Sequence, residues 1–215
     1  MKNYGKFWIL IAAITLLSGS LSLKAQPSLF PFLKDGVSTL MEFGTGGKAR
    51  LVVLQEKDKN IFRVNMILAP GSESELKIPD WGMFYVKGRE LYFGQSVIFG
   101  KLDDMLLYSL DSNEGSSTYY LLEYPDPEES CPEDWGLYER IIVSMNETVV
   151  TKGGVFENCV HVKQVSNNEP RVTAEFFIDR NMGFVKIITT VVEGDYHSGD
   201  ERKFSPLVFE LAGRG

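Results

Sequence analysis

Between Ile61 and Ala69 every second side chain is apolar: Phe62, Val64, Met66 and Leu68 fall on one face of an extended chain, with Arg63 and Asn65 on the other. A period of two marks a β-strand with one dry and one wet face. Leu51 to Gln55 precedes it, and Asp58-Lys59-Asn60 supplies turn residues for a hairpin between the two. The alternation returns at Val172 to Asp179, where Val172, Ala174, Phe176 and Ile178 oppose Arg171, Thr173 and Glu175. A chain written this way folds as an antiparallel sheet buried on one face.

Further runs of strand composition are Met83 to Val86 and Leu91 to Phe93, which flank Lys87-Gly88-Arg89-Glu90 as a second hairpin. Tyr119 to Tyr124, Leu137 to Ser144, Cys159 to Val165, Phe184 to Val192 and Leu207 to Leu211 complete the series. Helix signals are few. Ser28 to Met41 and Lys101 to Leu110 read as short helical turns, and Gly or Pro interrupts most other candidates. Strands separated by turns, without alternating helices, predict a mainly β antiparallel fold with one or two short helices. Glu123 to Asp134, with Pro125, Pro127 and Pro132, reads as an acidic loop.

The first residues have the order of an export signal. Lys2 and Lys6 precede an apolar run from Phe7 to Leu17, and Ser18-Gly19-Ser20 breaks it before Leu23-Lys24-Ala25. The run is shorter than the roughly 20 residues that a membrane-spanning helix needs. The expectation is a signal peptide over 1–25, cleaved near Ala25, and one β-rich domain over 26–215 in the periplasm or outside the cell, with no transmembrane span in the mature chain. No Cys follows that site before Cys131. Cleavage removes three lysines and no acid, so the net charge moves from −7 to about −10. Such an acidic balance argues against nucleic acid and anionic lipid as partners, because both demand a positive surface.

Two cysteines in an oxidising compartment raise a Cys131–Cys159 bridge, which would stabilise by about 3 kcal/mol on the loop-closure model. Two unpaired thiols are the other reading. Neither Cys is marked as a nucleophile or metal ligand, because no Cys-x-x-Cys occurs and only His161 and His197 could assist.

The remaining motifs have plain explanations. Gly44-Thr45-Gly46-Gly47-Lys48 resembles a phosphate loop, but Glu42 stands where the first Gly belongs and Ala49 follows the Lys, so a turn is expected. Ser74-Glu75-Leu76-Lys77 has the Ser-x-x-Lys spacing of penicillin-recognising enzymes without their companion motifs. Asp126, Glu128, Glu129, Glu133 and Asp134 lack the order of a calcium loop, and Asp195, His197 and Asp200 lack a third His. No metal or cofactor is expected. Asn146-Glu147-Thr148 fits a glycosylation sequon that matters only in a eukaryotic secretory pathway.

Aromatic residues gather in the middle of the chain: Trp81, Phe84, Tyr85, Tyr92, Phe93, Tyr119 and Tyr120. They either line an apolar trough on the concave face of a curved sheet or pack its core.

Val149 to Val162, containing Gly154-Val155-Phe156-Glu157-Asn158-Cys159, resembles a segment of uncharacterised secreted bacterial proteins in which a Gly-x-Phe-x-Asn-Cys turn leads into a strand. Glu175 to Ile187 is similar to the piece that follows in that family, and Phe30 to Gly36 to its Phe-Pro-x-x-x-x-Gly opening. Leu68 to Leu137 has no counterpart. Those proteins look like relatives of the lipoprotein-carrier architecture, a strongly curved antiparallel half-barrel. The resemblance implies such a half-barrel and, by analogy, a role in holding a lipid-like or other apolar molecule. It carries over no catalytic residue. The expected function is a non-catalytic binding module for an apolar small molecule. The alternative is a structural component that meets an envelope protein, and a hydrolase with a site invisible in sequence ranks third.

Overall fold

The computed structural model describes residues 29–44, 46–58, 60–69, 75–94, 105–121, 137–166, 171–193 and 202–214. They form thirteen strands: β1 Ser38–Phe43, β2 Gly47–Gln55, β3 Ile61–Ala69, β4 Leu76–Lys87, β5 Glu90–Gly94, β6 Leu106–Ser109, β7 Ser117–Leu121, β8 Leu137–Thr151, β9 Gly154–Ser166, β10 Arg171–Asp179, β11 Gly183–Glu193, β12 Arg202–Lys203 and β13 Leu207–Arg214. All pairings are antiparallel, in the order β6-β5-β4-β3-β2-β1-β13-β11-β10-β9-β8-β7, with β12 beside β11. The protein is mainly β, one strongly curved sheet that winds into a nearly closed barrel.

The edges of this sheet, β6 and β7, are consecutive in sequence. Arg140 of β8 reaches past β7 to the chain entering β6, donating from Nη1 to the carbonyls of Met105 and Leu106 at 2.7 and 3.3 Å. The Met105 carbonyl already accepts from the Phe93 amide at 3.0 Å, so Arg140 adds a second bond there and clamps the seam.

Alternation sets the interior. Val64 and Met66 of β3, Phe84 of β4, Phe93 of β5, Val160 and Val162 of β9, and Phe176 and Ile178 of β10 are buried in one cluster. Gly82 of β4 is needed there, because a Cβ would lie 2.6 Å from the Phe93 ring. No helix occurs among the described residues. The described part of Ser28 to Met41 is instead a turn followed by β1, and the described part of Lys101 to Leu110 is mostly β6. Tertiary pairing decides both: β1 lies hydrogen-bonded between β2 and β13, and β6 against β5.

The two ends of the barrel differ. The strands meet at one end through short turns such as 56–60, 88–89 and 180–182, and the segment before β1 enters there. Phe30 and Phe32 are buried and pack edge-on against Tyr108 and Phe84, with ring centroids 5.9 and 5.6 Å apart. They stop that end. β3–β4, β5–β6, β7–β8, β9–β10 and β11–β12 are joined at the opposite end, the mouth.

A second, smaller core lies outside the barrel. β8 and β9 outrun their neighbours, and register shifts between Ile142 and Val149 bend the pair. Asn158, with φ 58°, makes one of these bulges. The hairpin folds back so that Val149, Cys159, Phe177, Val185 and Leu211 bury one another.

Candidate functional site

At the mouth the interior changes character on its β7–β9 side. Tyr138 and Arg140 precede the buried Ile142 in step along β8, and Gln164 and Ser166 follow Val162 in step along β9. They occupy inward positions whose counterparts deeper in the barrel are apolar. Arg140 is 2% exposed. Its Nε donates to Gln164 Oε1 at 2.9 Å and its Nη2 to the Tyr120 hydroxyl at 3.3 Å, in addition to the two seam carbonyls. The Tyr120 hydroxyl donates to the same Gln164 oxygen at 2.9 Å. The guanidinium carbon also lies 4.7 Å from the centroid of the Tyr120 ring, which stacks on Tyr138 at 5.2 Å.

Every one of these partners is neutral. Burial disfavours the charged form of Arg140 and raises the Tyr120 and Tyr138 hydroxyls above their usual range. A guanidinium keeps its proton in spite of this, so the mouth holds a buried positive charge that faces no carboxylate among the described residues.

The other side of the mouth is apolar. Phe43, Leu68, Ile78, Trp81 and Phe209 pack against the core while remaining partly exposed, and the Phe43 and Phe209 rings meet at 5.0 Å. Below them Phe84, Phe93, Phe176 and Phe184 form a packed floor, with ring centroids 4.7 to 6.0 Å apart.

The seven aromatic residues singled out in the sequence do not share one surface. Phe84 and Phe93 belong to the floor, and Trp81 leans on Phe93 and Phe184 at 5.7 and 6.3 Å. Tyr120 joins the Arg140 network. Tyr85 and Tyr92 pair with each other on the opposite face of β4 and β5 at 5.6 Å, and Tyr92 donates to Glu90 at 2.7 Å. Tyr119 is 61% exposed and donates to Glu139. Arg140, Gln164 and Tyr138 are absent from the sequence reading, although their two-residue steps from Ile142 and Val162 place them in phase with the core.

Cys159 is a buried free thiol whose Sγ faces the Phe156 carbonyl at 3.6 Å; Cys131 lies outside the described residues. So do Ser74, Glu123, the acidic residues from Asp126 to Asp134, and Asp195, His197 and Asp200. Gly44 and Gly46 occupy the β1–β2 turn with φ of 54° and 103°.

Two surface concavities are lined differently. One of about 440 Å³ lies at the stopped end beside Pro31, Phe32, Lys34 and Met182. Another of about 420 Å³ runs beneath the hairpin tip, where Lys152 pairs with Glu42 at 2.6 Å and Lys186 with Glu210 at 2.7 Å. His161 is held under the hairpin between Glu147 at 2.8 Å and Glu175 at 3.1 Å, stacked on Phe177. Its two ring nitrogens face separate carboxylates on opposite edges. Among the described residues no group of three or more His, Cys, Asp or Glu gathers in metal-binding geometry, and no helix is long and apolar enough to cross a membrane.

No family model, curated protein or solved structure matches this chain. The fold, an all-β and nearly closed antiparallel barrel, is compatible with lipocalin-like and lipoprotein-carrier-like architectures.

Proposed function

We propose that this chain is a secreted or periplasmic, non-catalytic binding module that holds a lipid-like or other apolar molecule at the mouth of its barrel. One observation carries the reading. Five inward-facing apolar side chains, Phe43, Leu68, Ile78, Trp81 and Phe209, stay partly exposed at the mouth above a floor of packed phenylalanines. The opposite end is stopped by Phe30 and Phe32, so the ligand would lie across the mouth and not through the barrel. The export signal and the likeness to secreted bacterial proteins support the location. The carrier-like curvature supports apolar cargo by analogy alone, since fold does not fix function.

The test is native mass spectrometry of protein purified from its own periplasm, with extraction and identification of bound lipid. A stoichiometric apolar molecule is the expected result, and a clean apo mass would overturn the reading. A second reading, a structural part that meets an envelope protein, is favoured by Val150 and Val155. They face each other across the hairpin and are 67% and 62% exposed.

A further inference from the structure

We infer that Arg140 is the anchor for an anionic head group, so that the molecule held at the mouth is an amphiphile with a single carboxylate-like end. This rests on the proposed apolar site and adds its polar half.

Charge accounting is the first ground. A guanidinium carries five N–H donors and a charge that no other side chain among the described residues at this end offsets. Gln164, Tyr120, Met105 and Leu106 together receive four contacts from it. One N–H on Nη2 is left over, and no carboxylate among the described residues approaches the group. The ion pairs formed by lysine and arginine side chains elsewhere in the described protein, such as Lys152–Glu42, Lys186–Glu210 and Arg89–Asp111, are partly or largely exposed. Among the described residues, the buried cation at the mouth is thus left with neutral partners. Burial of such a charge is costly unless an anion meets it.

Placement is the second ground. Arg140 sits at the mouth end of β8, level with Thr118 of β7 and Gln164 of β9. The partly exposed apolar residues belong to the mouth ends of β1, β3, β4 and β13. One end of the barrel therefore joins a greasy rim to a fixed cation. The Tyr120 ring, Tyr138 and Gln164 hold the guanidinium plane in place before any ligand arrives. The fixed charge and the one remaining Nη2 N–H suit a carboxylate oxygen, which would accept a charge-assisted bond there. A neutral lipid would use the rim and leave the charge unmet.

The experiment measures binding of laurate and of its uncharged counterpart dodecanol to the full mature chain, each below its micellar concentration and at neutral pH. Calorimetry is run on the wild type, Arg140→Met and Arg140→Lys. Laurate is expected to bind at least tenfold more tightly than dodecanol. Arg140→Met should abolish that preference while dodecanol affinity stays within about threefold, and Arg140→Lys should keep part of it. The comparison of the two ligands on the wild type stands even if a variant fails to fold. Equal affinity of the wild type for both molecules would overturn the anchor and leave the apolar site standing. A laurate preference unchanged in Arg140→Met would do the same. Failure of the wild type to bind either molecule would overturn both the anchor and the apolar site.

Discussion

The backbone amide of Gly153 donates to the carbonyl of Leu211 at 2.7 Å, tying the tip of the β8–β9 hairpin to β13 across the outside of the barrel. A methyl group on Gly153 would stand 2.9 Å from that carbonyl oxygen and 3.2 Å from the Leu211 Cγ. Gly153→Ala must therefore lift the tip or displace β13. Overpacking of this kind costs about 1–3 kcal/mol. The urea midpoint should fall at unchanged slope, and exchange of the residue-153 amide should accelerate in the variant. A variant with the wild-type midpoint and exchange rate would mean that the tip is not docked in solution.

The same hairpin should loosen in acid. Hydrogen bonding to Lys152, then its charge, holds the Glu42 carboxyl below its ordinary range. Glu114 is lowered in the same direction by the Met145 amide and the Ser144 hydroxyl, both 3.0 Å from Oε1. A carboxyl whose pKa is depressed by folding adds stability above its unfolded value and loses that stability as pH falls through the folded one. Stability should consequently decline as pH drops below about 4. The double variant Glu42→Gln/Glu114→Gln should flatten that decline. Both groups are solvated, so the effect is modest, and urea midpoints taken at several acidic pH values would read it. An equally steep decline in the double variant would assign acid sensitivity to other carboxyls.

Phe32 stops one end of the barrel, edge-on to Phe84 and 6.5 Å from Phe30. Removing a ring from such a site leaves a cavity as well as losing buried area, and typical losses for Phe→Ala are about 3–5 kcal/mol. Phe32→Ala should show a loss of that order by urea unfolding, with Phe32→Leu retaining more of the stability. A loss below about 0.5 kcal/mol, the level typical of surface changes, would mean that the segment before β1 is not part of the core.

Legibility in the sequence followed the regularity of the pattern. β3 has the bounds that its alternation sets, because Phe62, Val64 and Met66 are buried without interruption. β1 defeats the same reasoning. Its inward Thr39 and Met41 come shortly after the apolar Phe30-Pro31-Phe32-Leu33, whose Phe30, Phe32 and Leu33 are buried in the barrel core, and the two together imitate a helical stretch. β8 and β9 run well past Ser144 and start well before Cys159, since the bulges between Ile142 and Val149 shift the alternation. The aromatic residues separated for a related reason. Phe84 and Tyr85 are neighbours in sequence and so face opposite sides of the sheet. Arg140 is the residue least visible to a search for apolar faces, because a charged side chain at an inward position looks like a break in the strand until its neighbours' phase is counted.

Cys159 gives a chemical readout of the outer core. The side chain is buried among Val149, Phe177, Val185 and Leu211. Burial pushes its thiol up to about 12, and the nearby Asp179 and Glu147 charges push the same way. Only the thiolate attacks alkylating reagents, so in the folded protein at neutral pH Cys159 should be essentially inert to iodoacetamide. In denaturant it should label without prior reduction, because the structure has it as a free thiol. Peptide mapping of the labelled protein distinguishes the alternatives directly. Labelling of Cys159 that needs both denaturant and reductant would establish a disulfide, with Cys131 as its partner within the chain. Rapid labelling of the native protein would show that the hairpin opens and exposes the second core.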